Sequence, residues 1–226
     1  MILRFVNGFI FFGVLAFVGC KPVDSNGLEI NGSGKLKSEV RSMDLDEIKT
    51  IEIDGDFNVS FTTKRSGSTI LVIAEDNLLP YIETKQSNGT LSISNKAGYS
   101  LIPKKDINID IKALSLSGIN IQGNGSLLVD TLQGIEPHID INGSGILDIK
   151  GFKCTKVYAT INGTGKCSYY GKVSTLDLTI NGAGFTDVFA STLTIFAAIN
   201  GAGVVRYKGD PYVKPNISGT GSVTKF

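Results

Sequence analysis

The 226-residue chain has no tryptophan, one histidine, two methionines and three cysteines. It also has little excess charge, with 22 Lys+Arg against 21 Asp+Glu. Each shortage excludes something. The lone histidine, His138, stands beside Pro137 on an outward position, and the sequence offers neither a Ser/His/Asp set nor a metal-ligand cluster, so no metal or other cofactor is expected. Removing residues 1–19 takes away Arg4 and no acid, leaving 21 Lys+Arg against 21 Asp+Glu. A neutral body has no electrostatic footprint for nucleic acid or a polyanionic surface. After the N-terminus helix formers are nowhere bunched, and β-branched residues, Ser, Asn and Gly dominate, which is an all-β composition rich in tight turns. Ile, Val, Leu and Phe recur throughout, so the chain is not disordered.

Glycine is what the chain has in excess: 27 of 226 residues, against roughly 7% in average proteins. Much of it falls in one motif. The sequence reads INGSG at 141–145, INGTG at 161–165, and INGAG at 180–184 and again at 199–203. The starts lie 20, 19 and 19 residues apart, with degenerate copies IQGNG at 121–125 and ISGTG at 217–221. A period near 20 signals stacked structural repeats.

With the motif Ile as position zero, positions −4, −2 and 0 are Val157, Ala159 and Ile161, then Leu176, Leu178 and Ile180, then Ile195, Ala197 and Ile199. Positions +6 and +8 hold Leu127 and Val129, Leu147 and Ile149, Cys167 and Tyr169, Thr186 and Val188, Val205 and Tyr207. Each repeat is therefore two short strands of period-2 alternation joined by a Gly-rich corner. Such a pair cannot bury its face alone, but parallel stacking at about 4.8 Å per step makes one continuous core. The reading is a single-stranded parallel β-helix, right-handed by the crossover rule. Its coils are of 19–20 residues in the C-terminal half and irregular in the N-terminal half. Gly143, Gly145, Gly163, Gly165, Gly182, Gly184, Gly201 and Gly203 are corner glycines, needed where φ must be positive. Asn142, Asn162, Asn181 and Asn200 form a column expected to hydrogen-bond from coil to coil, as inward polar groups at the corner.

Residues 1–19 read as a signal peptide: Arg4, an apolar core from Phe9 to Val18 too short to span a membrane, then Gly19 before Cys20. Small residue then Cys resembles a bacterial lipobox, which implies lipidation at Cys20 and a membrane attachment through it. Residues 20–34, Gly/Ser/Asn-rich, read as a lipidated flexible tether, and 35–226 as the solenoid domain.

The first half is less regular. Ile51 to Phe61 aligns with the later repeat, Ile53 in the place of Ile141 and Val59 and Phe61 in those of Leu147 and Ile149. Thr69–Ala74, Leu78–Lys85 and Thr90–Ser94 are further expected strands, the last two separated by a Ser87-Asn88-Gly89 turn. Gly32-Ser-Gly34, Glu39-Val-Arg41, Ile48–Phe61, Ala74-Glu-Asp-Asn77-Leu-Leu, Thr90-Leu-Ser-Ile93, Ser117-Gly-Ile-Asn120 and the Gly-x-Gly repeats together resemble the head GIN domain, also called the putative auto-transporter adhesin head domain. The resemblance covers roughly residues 32–224. It implies a β-solenoid in the bacterial cell envelope, periplasmic or surface-exposed, and carries no catalytic residues to transfer.

Other motifs read as structural. Asn88, Asn142 and Asn162 open Asn-x-Ser/Thr triplets, but the lipobox argues against a glycosylating compartment. The Gly-x-Gly pieces lack the third glycine of a nucleotide fingerprint, and Ser144, Thr164, Ala183 and Ala202 stand where a calcium column would need Asp. Cys154 and Cys167 fall at different repeat positions, the second in a core column. Outward Asp148 and Asp187, two coils apart around Ser168, read as ordinary exposed acids, and Lys150, Lys153 and Lys156 as a solvated face. Tyr169 and Tyr207 fall in core columns, which leaves Tyr170, Tyr212 and Phe185 as a sparse outer set for stacking sugars. The leading expectation is a non-catalytic binding or adhesion module, with a protein or glycan partner. A carbohydrate-active enzyme of lyase or hydrolase type on a β-helix is the alternative, and self-association into homo-oligomers through the open end at Val223–Phe226 is a third.

Overall fold

The computed structural model describes residues 27–64 and 67–226; the signal segment 1–19 and Cys20 lie outside them. The repeat strands stack in register. His138–Gly143 runs parallel to Lys156–Gly163, with Ile141 beside Ile161, Asn142 beside Asn162 and Gly143 beside Gly163. Lys172–Gly182, Ser191–Gly201 and Tyr212–Gly219 continue the same sheet. The second strand of each repeat builds a second sheet, Ile146–Ile149, Lys166–Tyr169, Phe185–Val188, Val204–Tyr207 and Ser222–Lys225 in parallel order. The result is a β-solenoid with one nine-stranded and one ten-stranded sheet.

The core is a set of columns. Position zero forms a file of isoleucines: Ile93, Ile53, Ile121, Ile141, Ile161, Ile180, Ile199 and Ile217. All but Ile217 are buried. Each buried isoleucine contributes about 1.5–3 kcal/mol of transfer free energy, so the file is a main source of stability.

The two corner glycines do different work. Gly163 sits at φ 131°, where a side chain is strained. Gly165 has no such φ. A Cβ there would lie 2.7 Å from Ile141 Cγ2 and 3.1 Å from Gly145 O, in space the preceding isoleucine already fills. The motif thus couples its first and last letters across rungs: Ile of one coil fills the hole left by Gly of the next.

In the first half the register of Ile51–Phe61 is the expected one, Ile53 beside Ile121 and Val59 beside Leu127. The spatial order differs from chain order. Thr50–Asp54 and Asn58–Thr63 lie between the rung at 118–129 and a rung made of Thr90–Asn95 and Asn108–Ala113. The chain makes one rung, steps outward to build the next and its cap, and then returns. The irregular coils expected here include an antiparallel cap. Thr69–Glu75 pairs antiparallel with both Asn108–Ala113 and Leu36–Arg41, and Ile82–Ser87 with Thr90–Asn95. The last pair closes through Asn88 at φ 50° and Gly89 at φ 75°, positive values that suit a two-residue hairpin turn.

The tether assigned to 20–34 ends sooner than expected. Leu28–Asn31 is a strand parallel to Tyr99–Ile102, and Gly32 N–H donates to Ile102 O at 2.9 Å. The cause is Glu75. Its buried carboxylate accepts the backbone N–H groups of Gly34 and of Lys104, the latter at 2.8 Å. Gly32 packs against that carboxylate so closely that a Cβ would overlap it. Ser33 Oγ donates to Asp76 Oδ1 at 2.5 Å, which holds the Asp76 carboxyl below its usual range, and Ser33 N–H donates to Asn77 Oδ1 at 2.8 Å. The INGSG at 30–34, which heads no repeat, is a latch.

At the far end no described rung follows Tyr212–Gly219, and Ile217 is 41% exposed. Tyr158, Thr220, Ser222 and Phe226 donate their N–H to the preceding rung. By that alternation Pro215, paired with Ala197, has its nitrogen on the free edge. A proline there removes one donor from a strand that a second chain could extend. Pro215→Val is expected to raise self-association, read as a concentration-dependent rise in sedimentation coefficient. Unchanged monomer at all concentrations would show that Pro215 does not protect this edge.

Candidate functional site

The Asn column lines up in single file. Asn162 Nδ2 donates to Asn142 Oδ1, Asn181 Nδ2 to Asn162 Oδ1 and Asn200 Nδ2 to Asn181 Oδ1, each at 2.8 Å. It faces outward, not inward as the sequence reading had it, and all four side chains are exposed. The reason is alternation: the isoleucine before each Asn points to the core, so the Asn points away. Water can replace a lost amide partner there. Asn162→Leu is accordingly expected to change stability by less than about 1 kcal/mol. A larger loss in a denaturant titration would mean that the ladder carries structural weight despite its exposure.

The outer face of the nine-stranded sheet continues beside this ladder. His138 and Tyr158, neighbours in register, stack with ring centroids 4.9 Å apart and 9° between planes. Lys156 Nζ lies 4.0 Å from the Tyr158 centroid and 3.3 Å from Asp177 Oδ2 on the next rung. The neighbouring Tyr158, and then Asp177, raise the Lys156 ammonium pKa against the opposing effect of desolvation.

Beyond His138 the repeat is broken by Gly134–Pro137, with Gly134 at φ 146°. This bulge walls a groove of about 860 Å³ lined by Lys49, Thr50, Gly118, Glu136, His138 and Lys153, among others. The groove was not legible in the sequence. The one available signal was the interruption GIEPH at 134–138 within an otherwise regular repeat.

The three lysines of the expected solvated face go separate ways. Lys150 Nζ lies 4.6 Å from the Tyr170 ring centroid, Lys156 joins Tyr158, and Lys153 lines the groove.

The ten-stranded sheet corrects another expectation. Asp187 is buried rather than ordinarily exposed. Arg206 Nε and Nη2 donate to its two carboxylate oxygens at 2.8 and 2.9 Å, which raises the guanidinium pKa further. The guanidinium also lies 4.6 Å from the Phe185 centroid and 4.8 Å from that of Phe226. Ser168 beside Asp187 is buried too, while Asp148 stands one rung further on. Asp148 and Asp187 therefore do not form an open acid pair. Tyr170, Phe189 and Phe226 stack on one another at 4.9 and 5.0 Å, so much of their ring faces is already covered. Tyr169 is fully buried and Tyr207 partly so, whereas Tyr212 is exposed on the last rung.

Cys167 is buried and Cys154 half-buried, both free. Burial pushes the Cys167 thiol from 9.0 up to about 12. The folded chain thus holds this proton more tightly than the unfolded chain. Its contribution to stability is complete below pH 9 and is lost as pH rises toward 12. Burial raises the Tyr169 phenol pKa in the same sense. The denaturant midpoint of the wild-type chain should fall over this alkaline range, and Cys167→Val should flatten the fall. An identical pH dependence in the variant would rule out the thiol.

Among the described residues no three His, Cys, Asp or Glu side chains are placed to hold a metal, and no helix is long and apolar enough to cross a membrane.

Residues 47–225 match the family described as "Putative auto-transporter adhesin, head GIN domain". Crystal structures similar to this chain include three from the Bacteroides and Parabacteroides genera. One is of a "putative adhesin" from Bacteroides fragilis, at 22% identity over 87% of this chain and 100% of that one, TM-score 0.71. Another is of a "Putative lipid binding protein" from Parabacteroides distasonis, at 19% identity over 88% and 99%, TM-score 0.68. The third is of a "putative adhesin" from Parabacteroides merdae, at 19% identity over 88% and 100%, TM-score 0.60. At these identities the likeness is one of fold. No curated protein matches the chain.

Proposed function

We propose that this chain, which belongs to the "Putative auto-transporter adhesin, head GIN domain" family, is a non-catalytic binding module of the bacterial cell envelope, held to a membrane by lipid on Cys20. The observation that carries the reading is the outer face of the nine-stranded sheet. Its Asn ladder and its His138–Tyr158 stack repeat hydrogen-bonding and ring groups at rung spacing on a rigid backbone. A platform of this kind offers many weak, parallel contacts, which suits recognition of a repeating partner. The adhesin names of the family and of two of the similar structures given above fit that role. Envelope location follows from the family together with the lipobox-like Gly19-Cys20.

The chain from residue 20 with Cys20→Ser should be captured by a subset of glycans on an array, or should retain an envelope protein in a pull-down. No retention in either screen would reject the binding role. For the anchor, wild-type protein should partition into the detergent phase and the Cys20→Ser form into the aqueous phase. Equal partitioning would reject lipidation.

A further inference from the structure

The proposed anchor and the fold meet at the N-terminal end. Residues 30–34 belong to the latch, so only seven residues separate Cys20 from Gly27, where the described chain begins. At 3.3–3.6 Å per residue, seven residues span at most about 25 Å. The nine-stranded sheet alone runs for eight strand steps, about 38 Å. A lipid on Cys20 therefore keeps this end of the solenoid beside the bilayer, whatever the far end does.

This end carries an apolar surface. In the edge strand Leu36–Arg41, Leu36 is 52% and Val40 64% exposed, and Ile102, which closes the strand paired with Leu28–Asn31, is 43% exposed. By alternation Leu36, Ser38 and Val40 share one side of their strand, opposite Glu75, Ile73 and Leu71. Ile73 and Leu71 are half-buried and extend the apolar surface. The latch brings Ile102 to the same place: Gly32 N–H donates to its carbonyl, and the Glu75 carboxylate opposite Leu36 accepts the N–H of Lys104, two residues further on. Of the twelve large apolar side chains that stand exposed among the described residues, four fall on these three short strands, Leu28 being the fourth.

Charge does not recruit this face. Lys35, Lys37, Lys104, Lys105 and Lys112 stand exposed around it, against Glu29, Asp76, Asp106 and Asp110. Asp76 and Asp110 each already accept a serine hydroxyl at 2.5 Å, and Glu39 pairs with Arg41. The two signs nearly cancel. What the lysines offer is length: their stems lie along apolar surface while the ammonium groups reach a phosphate layer.

We propose that the face formed by Leu36, Val40 and Ile102, with Leu71 and Ile73 beside them, rests on the bilayer that holds Cys20, its side chains at the boundary between headgroups and acyl chains. This rests on the lipid anchor given above and deepens it. The anchor supplies nearness, and the face sets the orientation in which the head is held. A few side chains would bind a vesicle weakly from solution, but a tether this short keeps the local concentration of bilayer high, so a weak contact suffices.

The chain has no tryptophan, so one introduced indole reports alone. The test holds the chain from residue 20, with Cys20→Ser and a hexahistidine tag before it, on phosphatidylcholine vesicles containing a nickel-chelating lipid and brominated acyl chains. The tag places the N-terminal end at the membrane without relying on natural lipidation. Val40→Trp fluorescence should be quenched at least twofold. Leu193→Trp, on an exposed position six rungs from Thr90–Asn95, should not be quenched. Adding Leu36→Ser/Ile102→Ser to Val40→Trp should abolish the quenching and keep the melting temperature, since both side chains are exposed. High salt should leave the quenching in place, because the contact is apolar. An unquenched Val40→Trp, equal quenching at both positions, quenching that survives the double variant, or quenching lost in salt would overturn the face. So would a blue shift of Val40→Trp that grows with protein concentration in the absence of lipid, which would mean that a second copy covers the patch. If detergent partitioning finds no lipid on Cys20 while the tagged chain docks, the anchor falls and the face stands. If the wild-type chain is lipidated while Val40→Trp stays unquenched, the anchor stands and the face falls.

Discussion

Gly163→Ala is expected to cost about 2–6 kcal/mol, more than most single substitutions in a small protein. Two terms add. The residue sits at φ 131°, where a side chain costs about 1–3 kcal/mol. Its new Cβ would also overlap the carbonyl oxygen of Gly143, a backbone atom fixed by the rung below. That overlap adds a cost like that of an overpacked core, about 1–3 kcal/mol. Gly165→Ala should be damaging for the second reason alone, through Ile141. Thr164, between them, is exposed and shares one hydroxyl hydrogen bond with Ser144, so Thr164→Ala should stay within about 0.5 kcal/mol. Urea midpoints for the three variants decide the matter. A Gly163→Ala midpoint close to that of Thr164→Ala would mean that the corner can relax, and the account of the motif would be wrong.

Glu75→Ala should cost about 2–4 kcal/mol by a different route. It strands the N–H groups of Gly34 and Lys104, each of which loses its carboxylate acceptor. The effect should also be local. Amide exchange at 28–34 and at Lys104 should speed up by orders of magnitude, while the rungs at 156–201 keep their protection. Glu75→Gln retains one acceptor oxygen and should fall between the two. If Gly34 and Lys104 exchange as slowly in the alanine variant as in wild type, the carboxylate is not what holds the N-terminal strand.

These two positions also mark where the sequence is readable and where it is not. Around Gly163 it is readable because the same five letters recur at fixed spacing, so each residue's place in its column can be counted. Even the worn rung at Ile51–Phe61 falls into the right columns by counting. Its neighbour in space cannot be counted. Ile53 presents the same branched side chain to Ile93 and to Ile121, and nothing in its own letters says which rung lies on which side. Thr69–Glu75 alternates with the same period whether its partner runs parallel or antiparallel, so the cap is invisible until the long-range pairing is known. Glu75 closes an apolar run and gives no hint of burial, because its partners are backbone groups contributed by distant glycine and lysine residues. The orientation of the Asn column was countable, being one step from an inward isoleucine.

The isoleucine file joins any rung to any other through the same contact, and Asn162 and Asn181 begin identical surroundings. Cutting out residues 162–180 and joining Ile161 to Asn181 would therefore leave every remaining column unbroken and shorten the solenoid by one rung, about 4.8 Å. A gene slipping on its own repeats would do the same in reverse. Such a molecule can change its reach in whole steps without having to invent a new interior.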